Sequence, residues 1–130
     1  MDKITFLGCG SWGGALGLVL ANKGMQVTMW HRNHDTVQSL KNTRTHYLVP
    51  QIKFPDNVTF TSDEKLAIED ASIIILAIPS QSIRSLLIKN KKLFNDKQII
   101  VNLCKGIENK TLMTISEVIY DVMGSRYGNT

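Results

Sequence analysis

The chain has 130 residues, of which 43% are hydrophobic and 20% charged, and its formal net charge is +4. This composition is typical of one soluble globular domain over residues 1–130 with a sizeable core. No apolar run is long enough to span a membrane, and the N-terminus lacks the layout of a signal peptide. Because the basic residues form no continuous block, we expect no nucleic-acid partner.

A glycine-rich turn separates the first predicted strand, over residues 3–7, from a helix predicted over residues 12–23. Gly8, Gly10 and Gly13 form the pattern G-x-G-x-x-G in this turn. Gly8 permits a sharp turn, Gly10 lets backbone N–H groups approach a pyrophosphate, and Gly13 lets helix and strand pack closely. The N-terminus of the helix adds a favourable dipole. We therefore predict dinucleotide binding; the alternative is a tight turn without a ligand.

The second predicted strand, residues 25–30, follows Gly24, which stands where a left-handed residue would end the helix. His31 and Arg32 come next, where proteins that bind NAD usually carry Asp or Glu to bind the ribose 2′-hydroxyl. An arginine suits a 2′-phosphate instead. We therefore expect NADP(H) as the cofactor, with NAD(H) as the second choice. The alternative role of Arg32 is that of a solvated residue at a strand end.

The next segment is predicted to be a short helix over residues 35–41, capped near Asn33 or His34. Residues 42–57 contain two prolines and little periodicity, which indicates an ordered loop. The alternation over residues 58–61 predicts a third strand.

A capping box formed by Thr61 and Glu64 is predicted to start a helix that runs to about Asp70. The run over residues 71–79 is apolar nearly throughout instead of alternating. Such a strand is expected to be buried on both faces in the middle of a parallel sheet.

The rest of the chain repeats this alternation. Residues 79–82 are expected to end the strand and cap a helix, whose lysine-rich end at 89–92 we interpret as solvated. A strand is predicted over residues 98–103, and a last helix is predicted to end at Gly124, before a frayed tail at 125–130. One face of the last helix is expected to carry Leu112, Ile115, Ile119 and Val122.

Alternating strands and helices predict an α/β fold, a Rossmann-like doubly wound, mostly parallel sheet with helices on both faces. Ligands of such sheets bind beyond the carboxyl ends of the strands. Four segments are expected to converge there: residues 8–13, 31–32, 79–81 and 104–106. Lys105 is expected to pair with a substrate or cofactor phosphate, and the alternative is an ordinary surface lysine.

Cys9 and Cys104 have neither the spacing of a redox pair nor that of a zinc site, so we expect free thiols in a reducing cytoplasm. The three histidines, His31, His34 and His46, form no convincing set of ligands. We therefore expect no metal site.

Several motifs follow one another along the chain in a fixed order. They are GCGSWG at 8–13, WHRN at 30–33, Tyr47-Leu48 with Phe54-Pro55 and Thr61-Ser62-Asp63, AIPSQ at 77–81 and CKGIE at 104–108. Together they resemble the N-terminal domain of NAD(P)-dependent glycerol-3-phosphate dehydrogenases over nearly the whole chain. The resemblance implies reversible hydride transfer between NAD(P)H and dihydroxyacetone phosphate. The product, sn-glycerol 3-phosphate, serves phospholipid synthesis.

The resemblance also implies roles for single residues. Ser11 and Trp12 would border the pyrophosphate and the nicotinamide, Arg32 would bind the adenosine end, and Lys105 would contact both cofactor and substrate. Residues 47–50 read YLVP, whereas in the family proline follows the leucine directly. The full set of expected cofactor-binding residues is Gly8, Gly10, Ser11, Trp12, Gly13, His31, Arg32, Pro79 and Lys105.

In the family the chain continues into an all-helical domain, which supplies the lysine that protonates the carbonyl oxygen and most of the substrate pocket. We therefore expect this sequence to be a fragment that binds cofactor, contains no catalytic residue and does not turn over. Its last helices are expected to expose apolar surface that favours a homodimer. Two alternatives stand: another dehydrogenase, such as a ketopantoate reductase, and a stand-alone dinucleotide-sensing domain.

Overall fold

The computed structural model describes residues 2–124, and within them five strands form one parallel sheet. The strands are β1 (Lys3–Leu7), β2 (Gln26–Trp30), β3 (Val58–Thr61), β4 (Ile73–Leu76) and β5 (Ile99–Asn102). Their order in the sheet is β3-β2-β1-β4-β5. Strands β2 and β3 lie on one side of β1, and β4 and β5 lie on its other side, so the strand order reverses at the boundary between β1 and β4. The predicted α/β fold is confirmed, and this reversal is the switch point at which such sheets bind ligands.

Helices cover both faces of the sheet. They are α1 (Ser11–Asn22), α2 (His34–Thr43), α3 (Glu64–Ile68), α4 (Ile83–Asn90) and α5 (Ile115–Met123). The buried side chains form two clusters, one that includes residues of α1 and α2 and one that includes residues of α3, α4 and α5. Strand β4 contributes Ile75 to the first cluster and Ile74 and Leu76 to the second, which confirms the prediction that it is buried on both faces.

Glycines let α1 lie directly against the sheet. A Cβ atom on Gly17 would overlap the methyl group of Met29 in β2, and one on Gly13 would lie 3.2 Å from the Cβ of Ala77. The helix ends as predicted, since Gly24 has a φ of 90° and its N–H bonds to a carbonyl in the last turn. Helix α2 is capped by Asn33, whose side chain accepts a hydrogen bond from the N–H of Thr36 at 3.0 Å.

The capping box predicted for α3 is wrong. Its N-cap is Asp63, whose carboxylate accepts hydrogen bonds from the N–H groups of Lys65 and Leu66 at 2.9 and 3.4 Å. The hydroxyl of Thr61 instead accepts a hydrogen bond from the N–H of Asp63 at 3.0 Å, because Thr61 is still part of β3. The helix also ends at Ile68, before its predicted end.

Two predictions about the last helices are also wrong. No side chain of residues 79–82 caps α4; a short 3₁₀ turn over Ser80–Ser82 precedes it instead. Leu112 lies outside α5, where it has a φ of 60° and is 67% exposed. Helix α5 starts instead with a capping box between Thr114 and Glu117. The predicted tail at 125–130 lies outside the described residues, and no helix in the described part has the length and apolar character to cross a bilayer.

Candidate functional site

A crevice opens at the carboxyl ends of the strands, beside the switch point. It consists of two adjoining cavities of about 360 and 670 Å³. The two cavities share the lining residues Gly10, Ala77, Ile78 and Pro79, so we treat them as one switch-point crevice with two arms. The four segments expected to converge are therefore brought together.

Every residue expected to bind cofactor lines this crevice. Gly8, His31 and Arg32 line the smaller arm, and Gly10 and Pro79 line both. The larger arm is lined by Ser11, Trp12, Gly13 and Lys105. The indole of Trp12 is 62% exposed at this arm, which leaves its surface available to a ligand.

The glycine turn has the backbone geometry of a phosphate site. Gly8 has a φ of 120°, and a Cβ there would lie 2.6 Å from the carbonyl carbon of Ala77, so a side chain does not fit. A Cβ on Gly10 would meet open space, so its absence keeps the start of α1 uncovered. Helix α1 has no side-chain cap and no acidic residue in its first turn. Because Ser11, Trp12 and Gly13 line the crevice, the positive end of the helix dipole and the unpaired N–H groups of the first turn lie beside it.

The charges of the crevice match an elongated anion. Arg32 lies in the smaller arm and Lys105 in the larger one, with the start of α1 between them. Neither arm is lined by an Asp or Glu of the described residues. A ligand with negative charge along its length would therefore meet favourable potential in both arms.

Burial disfavours the charged forms of His31 and of both thiols. It lowers the pKa of His31, and the positive charge of Arg32 acts in the same direction, whereas the hydrogen bond with the backbone of Asn33 acts in the opposite direction. Burial raises the pKa of Cys9 to about 12 and also raises the pKa of Cys104. Neither thiol is therefore a nucleophile at neutral pH, and both are free, as predicted. Within residues 2–124, no group of three or more potential ligands could hold a metal ion.

The segment that follows Lys105 is held by hydrogen bonds to Gln81. The side-chain amide of Gln81 donates to the carbonyl of Ile107 at 2.9 Å and accepts from the N–H of Asn109 at 3.0 Å. These two bonds join the start of α4 to the segment that follows β5. The residues held by these bonds lie two and four positions after Lys105 in the chain.

Residues 42–57 were predicted to be an ordered loop, but the first two of them belong to α2. The loop itself, residues 44–57, reaches the site in a way that the sequence did not reveal. Thr45 and Lys53 form an antiparallel bridge, which folds the segment back on itself. Tyr47 then lines the smaller arm and packs edge-on against His31, with ring centroids 5.3 Å apart. His46, which is 1% exposed, lies behind the glycine turn. An irregular loop has no periodicity, so no sequence signal pointed to His46.

Comparison with protein families matches residues 3–129 to the family described as "NAD-dependent glycerol-3-phosphate dehydrogenase N-terminus". A glycerol-3-phosphate dehydrogenase [NAD(P)+] of Agathobacter rectalis is 42% identical over 120 residues, which cover 92% of this chain and 36% of the relative. A second relative of that name, from Lactobacillus delbrueckii subsp. bulgaricus, is 40% identical over 131 residues, covering 99% of this chain and 39% of the relative. The chain thus spans little more than a third of these relatives' length.

Solved structures agree with these relatives. The crystal structure of glycerol-3-phosphate dehydrogenase from Coxiella burnetii superposes with a TM-score of 0.89 at 30% identity, covering 95% of this chain and 38% of that one. A ketopantoate reductase from Ralstonia eutropha has a TM-score of 0.72 at 19% identity, covering 93% of this chain and 38% of that one. At that identity the second likeness shows a common fold and nothing more.

Proposed function

The chain belongs to the family of NAD-dependent glycerol-3-phosphate dehydrogenase N-terminal domains, and from this premise we propose that it is the cofactor-binding part of such an enzyme. The domain binds NAD(P)H in the switch-point crevice, for the reduction of dihydroxyacetone phosphate to sn-glycerol 3-phosphate. One observation carries the proposal: the uncapped start of α1 lies between Arg32 and Lys105 in a crevice whose described lining contains no acidic residue.

The proposed binding mode follows the shape of the crevice. The pyrophosphate lies against the N–H groups of Gly10, Ser11 and the rest of the first helical turn. The adenosine end occupies the arm with His31 and Arg32, and the nicotinamide occupies the arm with Trp12 and Pro79. There the nicotinamide supplies or accepts the hydride. The chain itself binds the cofactor, orients it and shields one face of it from water.

NADP(H) is the proposed preference. Arg32 stands at the end of β2, and the crevice presents no carboxylate in the described chain to accept hydrogen bonds from a free ribose 2′-hydroxyl. A guanidinium binds a 2′-phosphate with charge-assisted hydrogen bonds. The relatives' names, which include both NAD and NADP, are consistent with binding of the unphosphorylated cofactor as well.

Lys105 is the proposed substrate contact, pairing with the phosphate of dihydroxyacetone phosphate and with the cofactor. The group that protonates the substrate carbonyl is proposed to lie in the part of the enzyme that this chain does not span. We further propose a cytoplasmic enzyme, since the free thiols of Cys9 and Cys104 suit a reducing compartment.

A second copy of the chain is the proposed macromolecular partner, and no nucleic acid is expected. Ile107, Leu112 and Tyr120 are exposed near α5 at 45%, 67% and 52%. Burying such apolar side chains against another copy would remove them from water. Light scattering over a range of concentrations tests this, and a monomer at every concentration contradicts it.

Fluorescence titration of the protein with NADPH and NADH tests the proposed function. We expect saturable binding of both and tighter binding of NADPH. The absence of binding for either coenzyme would contradict the function as a whole. A screen of dihydroxyacetone phosphate and ketopantoate with the full-length enzyme then separates the two dehydrogenase activities, and binding without any turnover there favours a sensing domain.

A further inference from the structure

We propose that His46 is a positioning residue for the phosphate-binding turn. Its imidazole binds the carbonyl groups of Cys9 and Gly10 from behind, and so holds the peptide between these two residues with the N–H of Gly10 toward the crevice. This role of His46 rests on the proposed function, because the pyrophosphate that the turn would bind belongs to the proposed cofactor. The proposal gives the loop after α2, which is distant in sequence from the glycine motif, a role in cofactor binding.

The hydrogen bonds of His46 fix which ring nitrogen carries the hydrogen. Nδ1 lies 3.0 Å from the backbone N–H of Leu48 and 3.2 Å from that of Val49, so it accepts both bonds. In the neutral ring the hydrogen therefore resides on Nε2. Nε2 lies 3.0 Å from the carbonyl oxygen of Cys9 and 3.1 Å from that of Gly10, and its hydrogen is shared between them.

Packing holds the ring in this position. The imidazole is 1% exposed, and the phenol ring of Tyr47 stacks on it with centroids 4.8 Å apart. The space for the ring in α1 exists because residue 14 is glycine: a Cβ on Gly14 would lie 2.7 Å from Nε2. The backbone of His46 is itself tied down, since its N–H donates to the carbonyl of Ile52 at 3.0 Å.

Peptide geometry converts this contact into an effect on the ligand. In a planar trans peptide the carbonyl and the N–H group point in opposite directions. The carbonyl of Cys9 shares its peptide with the N–H of Gly10, and the carbonyl of Gly10 shares one with the N–H of Ser11. The carbonyl of Gly10 also accepts the N–H of Gly14 at 2.8 Å, which is the first hydrogen bond of α1, so the helix itself fixes that peptide. The carbonyl of Cys9 is held by the His46 ring at 3.0 Å, and the N–H of Gly10 in the same peptide therefore faces the open side. Without this contact the flexible Gly10 would leave the peptide between Cys9 and Gly10 free to rotate.

Two substitutions at position 46 separate this role from general packing. In His46→Gln the amide nitrogen reaches about as far as Nε2, so a donor to the turn is retained. In His46→Asn the amide reaches only as far as Nδ1, so the turn loses its donor while the variant stays polar. We expect His46→Asn to weaken NADPH binding by about tenfold, the value of one or two hydrogen bonds, and His46→Gln by no more than about threefold.

ADP carries the pyrophosphate, so the ratio of its affinities for the Gln and Asn variants should be the same as the ratio for NADPH. Equal affinities of the Gln and Asn variants would overturn the proposal, and so would a loss for NADPH with none for ADP. Thermal unfolding midpoints of both variants show whether either merely fails to fold. If the wild-type protein binds neither NADPH nor NADH, it is the proposed function that fails.

Nitrogen-15 NMR of the histidine rings tests the same arrangement without any substitution. The wild-type His46 ring should show the tautomer with hydrogen on Nε2. The opposite tautomer would place a hydrogen between Nδ1 and two N–H groups, and its observation would overturn the proposal.

Discussion

The guanidinium of Arg84 in α4 binds the carboxylate of Glu108 through two parallel hydrogen bonds, from Nε at 2.9 Å and from Nη2 at 3.0 Å. A third bond joins Arg84 to Asp121 in α5 at 2.7 Å. The pair therefore ties together α4, α5 and the segment that carries Lys105. Bidentate geometry makes it more specific than an ordinary surface ion pair.

This pair predicts that stability depends on pH. The hydrogen bonds from Arg84, and secondly that from Thr111, lower the pKa of Glu108 below its unfolded value. The stabilisation is therefore complete above the ordinary glutamate pKa and is lost as pH falls through the lowered one. The difference in melting temperature between wild type and Glu108→Gln, measured from pH 7 down to strong acid, should shrink on acidification. A difference that is constant with pH would contradict this.

Arg32→Ala is predicted to reduce discrimination between the two cofactors. Loss of charge-assisted hydrogen bonds to a 2′-phosphate should weaken NADPH binding by about tenfold to a hundredfold. NADH, which lacks that phosphate, should change by less than about threefold. Both affinities can be measured by fluorescence titration. An equal loss of affinity for NADPH and NADH would mean that Arg32 does not bind the 2′-phosphate.

Gly8→Ala is predicted to lower stability, whereas Gly10→Ala is predicted to lower cofactor affinity. At Gly8 the left-handed φ and the overlap with Ala77 should cost about 1–3 kcal/mol of unfolding free energy, or more. At Gly10 a Cβ meets no protein atom within 4 Å, so the variant should fold with a near wild-type melting temperature. Its methyl group would instead stand where the pyrophosphate approaches, and NADPH affinity should fall. If Gly10→Ala retains full affinity, the proposed position of the pyrophosphate is wrong.

Gln81→Met is predicted to loosen the segment that carries Lys105. Methionine matches the length of glutamine but cannot bond to Ile107 or Asn109, so about 1–2 kcal/mol of local stability should be lost. Hydrogen exchange of the Asn109 amide reports this loss. Gln81→Glu is the control, because it retains the acceptor for that amide and should protect it better than Met does. Equal rates of hydrogen exchange in both variants would indicate that the amide of Asn109 is protected by a contact other than the one with residue 81.

The elements that the sequence predicted well are those whose signal lies within one strand or helix. The apolar run that contains β4 predicted burial on both faces, and Ile74 and Ile75 indeed belong to different clusters. Gly8, Gly13 and Gly24 stand where turns and close packing require them. The errors occurred at helix boundaries. The start of α3, for example, is capped by Asp63 in place of Thr61, because a cap depends on which neighbouring residue has left the strand.

The amino-acid sequence by itself determined the order of strands and helices, the glycine turn after β1 and the residues that flank it, because spacing along the chain encodes those features. Only the tertiary structure decided how the turn is supported. His46 lies 37 residues from Cys9 in the chain, yet the ring bonds to its carbonyl. The contact exists because the loop after α2 returns to the start of α1. No local sequence pattern predicts which distant backbone atoms a buried side chain will contact.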